Sequence, residues 1–207
     1  MKTFLPEGYK APKADGNYMK FLEGQNKFRI VSPATVGYEY WTDDNKPVRL
    51  KEYPQTKPAD IRLADDSSYS IKHFWAFSVL DRKDEKVKIL EITQASIMRN
   101  IEDLVMNEEW GDPTKYDITV SRTGSGMETR YTVQPSPHKE LNAEEKSLVA
   151  RMEINLEALF KGDNPFDGAK GGSGAKKPAT GQITATGDDS DDELYVDIDG
   201  KPEKVPF

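Results

Sequence analysis

The stretch that decides the fold is Ile71-Lys72-His73-Phe74-Trp75-Ala76-Phe77-Ser78-Val79-Leu80. Successive side chains of a strand point to opposite faces, and here both alternating sets carry aromatic residues. The core of a small barrel cannot take both faces, so one set must point out of it or lie beneath a covering element. We expect Trp75 and Phe77 inside, and Phe74 beside Lys72 at the surface.

Shorter runs of β character lie on both sides of this strand. Residues 27–31 and 35–41 precede it as one strand interrupted at Ser32-Pro33, and residues 87–92 follow it after a charged turn. Further along, residues 116–122 and 127–134 alternate apolar and polar side chains around Thr123-Gly124-Ser125-Gly126, which predicts a hairpin.

Two segments have helical spacing. One follows residue 92 and places Ile97, Ile101, Leu104 and Val105 on one apolar stripe, with Thr93 or Ser96 as the N-cap. Trp110-Gly111-Asp112-Pro113 ends it. The other segment covers residues 142–160 and predicts a second helix.

The predicted fold is mainly β with helices. Three strands, one helix and two strands follow each other in the chain order of a five-stranded OB barrel, whose helix lies between strands three and four. We assign residues 1–22 to an N-terminal extension and residues 23–160 to the barrel with its additional C-terminal helix. An insertion of residues 43–69 between strands one and two is unusual for this fold.

The C-terminal part of the chain changes composition. Residues 161–187 are rich in Gly, Ala, Lys, Thr and Pro and predict a flexible linker. Residues 188–207 form an acidic tail, which we expect to be disordered, with eight carboxylates and two lysines. Because the whole chain has a net charge of −7, the other 187 residues sum to only about −1. The acidity is therefore confined to the tail, and the barrel could still have a basic face.

Several functional classes are poorly supported. The chain has no cysteine and only two histidines, His73 and His138, so the usual zinc sites cannot be assembled. It has no phosphate-binding loop, nucleophile elbow or paired-histidine metal motif, so we expect no enzyme and no cofactor. Neither a signal peptide nor a membrane span is recognisable, which favours a cytoplasmic protein.

Aromatic and basic residues alternate in a way that suits single-stranded nucleic acid. Bases stack on aromatic rings, and a basic groove follows the phosphates. The candidate DNA-binding residues cluster around the insertion and the last hairpin: Tyr38, Tyr40, Trp41, Lys46, Arg49, Lys51, Tyr53, Lys57, Arg62, Lys72, Phe74, Lys115, Tyr116, Arg122 and Arg130. For any one of them, packing in the core or ordinary surface exposure remains an alternative of at least equal weight.

The tail carries a second type of signal. An apolar ring beside the terminal carboxylate at Pro206-Phe207, preceded by Asp197 and Asp199, is typical of a segment captured in a partner's pocket. A tethered polyanion also competes with DNA for a basic groove. A generic solvating tail is the alternative.

The chain resembles phage-encoded single-stranded DNA-binding proteins. The residues that carry the resemblance are 21–30, 36–41, 73–77, 110–113 and 116–122, which span most of the predicted barrel. The ending is separately similar to that of bacterial single-stranded DNA-binding proteins, although two lysines interrupt the acids and Val205 precedes Pro206-Phe207. The resemblance implies sequence-independent binding that protects exposed strands in replication or recombination, inside the bacterial host cytoplasm.

The leading hypothesis is therefore a non-enzymatic protein that coats single-stranded DNA. Its tail would recruit replication or recombination proteins, and the helix at residues 142–160 offers a surface for self-association. One alternative is an RNA-binding, cold-shock-like OB protein. The other is a protein-interaction adaptor whose acidic tail mimics nucleic acid.

Overall fold

The computed structural model describes residues 16–64 and 67–167. These residues form one mainly antiparallel sheet with two α-helices and three short 3-10 helices. The strands are β1 (Tyr18–Met19), β2 (Gly24–Ile30), β3 (Thr35–Trp41), β4 (Pro47–Leu50), β5 (Lys72–Asp81), β6 (Lys86–Ile92), β7 (Asp117–Thr123) and β8 (Arg130–Pro135). The helices are α1 (Ala95–Met106) and α2 (Ala143–Arg151), with 3-10 turns at Pro113–Lys115, Gly126–Glu128 and Leu156–Lys161.

Strand β5 is the centre of the sheet, because it pairs with β2, β3 and β6. The longest hydrogen-bonded path runs β1-β6-β5-β2-β7-β8, and β3 branches from β5 and carries β4. Among the strands of the described residues, only β1 pairs in parallel, with β6. The mainly β architecture and the helix after β6 agree with the sequence. The path has free ends at β1 and β8, so a closed five-stranded barrel stays a prediction.

The first predicted strand is divided into β2 and β3. Ser32-Pro33 separates them, and Ser32 Oγ accepts a hydrogen bond from the Ser78 amide at 2.9 Å. Before the break β2 lies between β5 and β7, and after it β3 lies between β5 and β4. The break lets the chain exchange one neighbour, β7, for another, β4, while it stays paired with β5. Strand β4 lies inside the predicted insertion and β1 inside the predicted N-terminal extension.

One face of β5 forms the main core. Phe77 and Val79 point to this face and pack with Ile97 and Ile101 of α1. Phe77 is therefore inside, as predicted, whereas Trp75 is half-buried at the margin of the same core. Ile97 and Ile101 of the predicted stripe of α1 are buried and Leu104 packs against the core, whereas Val105 is 42% exposed, so its place in the stripe was predicted wrongly. Its N-cap is Gln94, without a side-chain cap bond, rather than Thr93 or Ser96.

The opposite face of β5 is covered by the C-terminal segment. Phe74 has no exposed surface and packs against Leu156, Leu159 and Phe160. The rings of Phe74 and Phe160 lie 6.0 Å apart between centroids. The expectation that Phe74 lies at the surface is therefore wrong, because a covering element occupies this face.

The covering element exists because the second predicted helix is broken. Asn142 begins α2 with a capping box to Glu145, and α2 ends at Arg151. Asn155 then caps a separate 3-10 helix, Leu156–Lys161, through its side chain. The extended residues between the two helices let Leu156 and Leu159 reach the sheet. A continuous helix over residues 142–160 was thus the wrong expectation.

A buried carboxylate ties α2 to the sheet. Asp117 accepts hydrogen bonds from Arg29 at 2.8 Å and from Arg82 at 3.0 Å and 3.1 Å, and Arg82 also bonds Glu145 of α2. Arg29 is 1% exposed, so its charge requires such a partner. The pKa of Asp117 lies below its usual range because hydrogen bonding and nearby cations outweigh the desolvation that opposes them.

Part of the predicted linker still packs on the sheet. Phe166 contacts Tyr18 edge-on at 6.2 Å between ring centroids. The remaining linker residues 168–187 and the acidic tail 188–207, with Asp197, Asp199, Pro206 and Phe207, lie outside the described residues. So do residues 1–15 of the predicted extension.

We predict that Phe74→Ala lowers the free energy of unfolding by about 3–5 kcal/mol, because it leaves a cavity between the sheet and the C-terminal segment. Urea unfolding followed by circular dichroism measures this. Val36→Ala is the control, since Val36 is 51% exposed and its truncation should change stability by less than about 0.5 kcal/mol. Equal losses in both variants would contradict the burial of Phe74.

Candidate nucleic-acid interface

Four rings follow one another across β3, β5 and the insertion, and we call Trp75, His73, Tyr38 and Tyr53 the aromatic row. The β3–β5 register sets Tyr38 opposite His73, so the two side chains share a face. Tyr38 lies 5.3 Å from His73 and 5.3 Å from Tyr53 between ring centroids. All four side chains are half-buried. A row of partly exposed rings is suited to stacking against planar groups.

Two polar atoms in the aromatic row are buried without a hydrogen-bond partner. They are Tyr53 Oη and His73 Nδ1. Trp75 Nε1 donates to His73 Nε2 at 3.1 Å, so a neutral His73 carries its proton on Nδ1. A buried donor left unpaired costs about 1–3 kcal/mol. Such groups mark a place where a ligand could supply the missing acceptor.

The insertion carries exposed cations, of which Lys57 lies beside the ring cluster that includes Tyr38 and Tyr53. Lys57 lies over the ring of Tyr69 at 5.6 Å, and Tyr69 packs in the same cluster as Tyr38 and Tyr53. Arg62 donates to Asn45 at 2.7 Å, and Lys46 lies 3.7 Å from Asp44. These three cations are exposed.

The base of the insertion is held by backbone hydrogen bonds. The Arg62 amide donates to the Trp41 carbonyl at 2.7 Å, and the Asp43 amide donates to the Asp60 carbonyl at 3.1 Å. Tyr40 is buried with Ile61, and its hydroxyl bonds Asp60. The insertion is thus anchored at its base, next to the cluster that includes Tyr38 and Tyr53.

Some predicted aromatics are not part of the surface. Tyr40 is 6% exposed, and Tyr116 and Phe74 are fully buried, so none of them presents a ring face to a base. Each ring packs against a residue from another part of the chain. Tyr40 packs with Ile61, Tyr116 with Trp110, and Phe74 with Phe160. Trp41 is half-buried at the end of β3.

Arg49 is a predicted DNA contact that the structure places in a buried ion cluster. It donates to both carboxylate oxygens of Glu91, at 2.6 Å and 3.0 Å, and lies 3.2 Å from Glu39. Burial raises the pKa of Glu39 to about 7, and the adjacent Glu91 adds to the rise while Arg49 and Lys72 oppose it. The guanidinium is therefore neutralised locally rather than offered to phosphates.

The remaining predicted cations are dispersed. Lys51 bonds Glu157 at 2.6 Å and lies over Phe160, so it holds the C-terminal segment. Half-buried Lys72 lies opposite Glu39 in the β3–β5 register. Arg122 donates to the Phe21 carbonyl at 3.2 Å.

Lys115 and Arg130 are exposed and lie at opposite ends of the β7–β8 hairpin, with Arg130 bonded to the Thr129 carbonyl. This hairpin is separated from β5 by β2. The structure thus brings together Tyr38, Tyr53 and, through Tyr69, Lys57, and leaves the hairpin group apart.

Three residues of this surface were missed by the sequence reasoning. Trp75 was expected inside the core, His73 was considered only as a candidate zinc ligand, and Tyr69 was not singled out. The available signal was that His73 and Trp75 lie on the same alternating set of β5. This signal identifies the surface only once the β3–β5 register is known, because that register brings Tyr38 to the same face.

Two further kinds of site were sought in residues 16–64 and 67–167. No group of three or more His, Asp or Glu side chains in these ranges is arranged to hold a metal ion. No helix in the same ranges is long and apolar enough to cross a bilayer.

We predict that the wild-type protein loses stability, relative to Glu39→Gln, as pH rises from 5 to 8. The folded state keeps a proton on Glu39 up to about pH 7, whereas the unfolded chain releases it near 4.5. The proton-linked stabilisation is therefore complete below pH 4.5 and disappears as pH passes 7, a change on the order of 1–3 kcal/mol. Urea unfolding at several pH values measures it. Glu23→Gln, at an exposed site, should keep the wild-type profile.

The chain is similar to a protein of Escherichia phage T5 named "Probable ssDNA-binding protein". The two are 24% identical over an alignment of 177 residues, which covers 70% of this chain and 68% of the phage protein. No protein-family profile matches the chain. No solved structure matches it either. The similarity agrees with the phage resemblance drawn from the sequence.

Proposed function

We propose that this protein binds single-stranded DNA without regard to sequence and protects it during phage-type replication or recombination, without catalysis. The observation that carries the proposal is the aromatic row, with Lys57 beside its ring cluster and the exposed cations Lys46 and Arg62 on the same insertion. The similarity to a phage protein named for single-stranded DNA binding supports the same ligand.

In this proposal the aromatic row takes bases and the insertion takes phosphates. Stacking contributes about 1–3 kcal/mol per base and tolerates any base, because every base has a flat face. Lys57 and Arg62 displace counterions from the phosphates, which makes the affinity depend on salt. His73 Nδ1 and Tyr53 Oη become accessible to base acceptors only if the rings separate slightly.

We infer an OB-type barrel as the scaffold. In this assignment β2 and β3 together are the first strand, β5 and β6 the second and third, and β7 and β8 the last two. The strand order, the position of α1 between β6 and β7, and the core between α1 and β5 support it. The insertion then occupies the loop between the first two strands, one of the loops that bind oligonucleotides in such barrels.

The acidic tail is proposed to have two roles. Asp197, Asp199, Pro206 and Phe207 would be captured by replication or recombination proteins, and the polyanion would compete with DNA for the cations of the domain. The proposal includes a cytoplasmic location, where these partners would act, and self-association through α2. The tail roles, the location and the self-association all rest on the sequence pattern alone.

We predict that Trp75→Leu weakens oligothymidine binding by about 5- to 150-fold, the equivalent of one lost stacking contact. Fluorescence anisotropy of a labelled dT20 measures the affinity. Met106→Ala is the control, because Met106 is 77% exposed at the end of α1 and should leave affinity unchanged.

Three outcomes of the same titration decide between the candidate functions. Salt-sensitive binding of dT20 with quenched tryptophan fluorescence supports the proposal. No binding by the wild-type protein at low salt would end it. Stronger competition by U20 than by dT20 would favour the RNA-binding alternative.

We also predict that deleting residues 188–207 raises the affinity for dT20, because the deletion removes a competitor with a net charge of −6. The gain should shrink as salt rises, since both interactions are ionic. Affinity measured at two salt concentrations on the full-length and shortened proteins tests this. If the deletion instead abolishes binding to partner proteins and the wild-type protein does not bind dT20, the adaptor alternative is favoured.

A further inference from the structure

A groove lined by lysines lies where the chain enters β7. Its volume is about 520 Å³, and we call it the lysine groove. The side chains and backbone of the Pro113–Lys115 turn form one wall, and the segment leading into α2 forms the other. The lining residues are Arg29, Thr114, Lys115, His138, Lys139, Glu140, Leu141 and Lys146.

The two walls are fixed to each other. The Lys139 amide donates to the Lys115 carbonyl at 3.0 Å. Beneath them, Arg29 donates to the Thr114 carbonyl at 3.2 Å and to the Lys139 carbonyl at 2.9 Å. Because Asp117 holds Arg29 in turn, the spacing of the groove is set by the core of the domain. It is a preformed feature rather than a gap between loose loops.

A stack of rings stands at the groove. His138 lies nearly parallel to Tyr116, with an interplanar angle of 10° and a centroid distance of 5.3 Å. Trp110 contacts both rings, at 5.8 Å and 5.4 Å. His138 itself is exposed. An exposed ring backed by two others is held in place and offers a flat face to a ligand.

The charge of the groove is positive. Lys115 and Lys139 are exposed, and neither forms a close ion pair among the residues that the structure describes, although Lys115 interacts electrostatically with Asp112. Lys146 shares its charge with Glu140 at 3.3 Å, and both of these side chains are largely solvent-exposed. Two exposed lysines thus lie on adjacent, hydrogen-bonded segments. Such a pair suits a phosphate group as a ligand.

We propose that the lysine groove is a second contact region for the DNA strand, in which Lys115 and Lys139 bind backbone phosphates next to a base lying on His138. The inference rests on the proposed function and extends it to a region that the aromatic row does not include. It also gives a role to Trp110-Gly111-Asp112-Pro113: Asp112 caps the Pro113–Lys115 turn, and Trp110 supports the ring stack.

The positions of the two regions set a minimum ligand length. The aromatic row includes His73, whereas the groove lies at Arg29, which pairs with Leu80. Seven residues of β5 separate these points, a distance of roughly 23 Å in an extended strand. Leu80 also lies on the alternating set of β5 opposite to His73, so a ligand that contacts both regions has to pass from one face of the sheet to the other. A strand of a few nucleotides therefore reaches one region, and one of about 12 nucleotides can reach both, within the roughly 4–16 nucleotides of one OB-type site.

The two histidines provide a separate signal for each region, since His73 lies in the aromatic row and His138 in the lysine groove. NMR spectra of the imidazole Hε1–Cε1 groups of the full-length protein, titrated with dT12, should show both resonances moving. The double variant Lys115→Gln/Lys139→Gln should keep the His73 shift and lose most of the His138 shift. Lys20→Gln/Lys161→Gln, at two other exposed lysines, is the charge-matched control and should keep both.

The same variants give a second measurement. Loss of two phosphate contacts lowers the slope of log affinity against log salt by about 1.4, at about 0.7 per contact for single strands. Between 50 mM and 200 mM salt the wild type should thus lose about sevenfold more affinity than the groove variant. The control variant should keep the wild-type slope.

The outcomes separate the two proposals. If dT12 moves His73 alone, or the groove variant keeps the wild-type slope, the groove inference is wrong and the proposed function stands. If dT12 neither binds nor moves either resonance, the proposed function fails. If inorganic tripolyphosphate moves His138 and dT12 does not, the groove holds free polyphosphate compounds, and its assignment to the DNA strand is overturned.

Discussion

Burial of both faces of β5 is the constraint on which the rest of the structure depends. The strand bonds to β2, β3 and β6 and carries large apolar side chains on both sides, so each side needs its own cover. Helix α1 covers Phe77 and Val79, and the Leu156–Lys161 turn covers Phe74. On the face of Phe77 and Val79, the cover by α1 does not extend to the start of β5, and His73 and Trp75 remain half-buried there. The aromatic row is thus the part of that face that α1 leaves partly exposed.

The periodicity of the chain was sufficient to predict most elements but not their partners. Strands β5 and β6, helix α1 and the β7–β8 hairpin follow from local alternation and spacing. Phe74 was misplaced because both faces of β5 are aromatic, and alternation does not tell which cover lies where. The helix at residues 142–160 was drawn too long because Asn155 caps a new turn there, against the helical spacing of its neighbours.

The candidate site was predicted in part, for a related reason. Sequence identifies which residues have charges and rings, whereas a contact depends on what lies opposite them. Arg49 is neutralised by Glu91, 42 residues away, and Tyr116 is covered by Trp110. Tyr38, before the insertion, and Tyr53, inside it, were named together from the sequence and lie side by side, but His73 joins them only through the β3–β5 register. Long-range pairing therefore decides which predicted residues share a surface.

Burial also sorts the cations by what they can do. A buried guanidinium is stable only with a carboxylate beside it, so Arg29 and Arg49 have fixed partners and organise the domain. Exposed cations such as Lys57, Lys115 and Lys139 keep their charge for solvent, and only such groups release counterions when a polyanion binds. The two sets act together at the lysine groove, where Arg29 holds the carbonyls of Thr114 and Lys139. The buried Arg29–Asp117 pair thereby sets the spacing between Lys115 and Lys139. That spacing decides whether both lysines can contact neighbouring phosphates of one DNA strand.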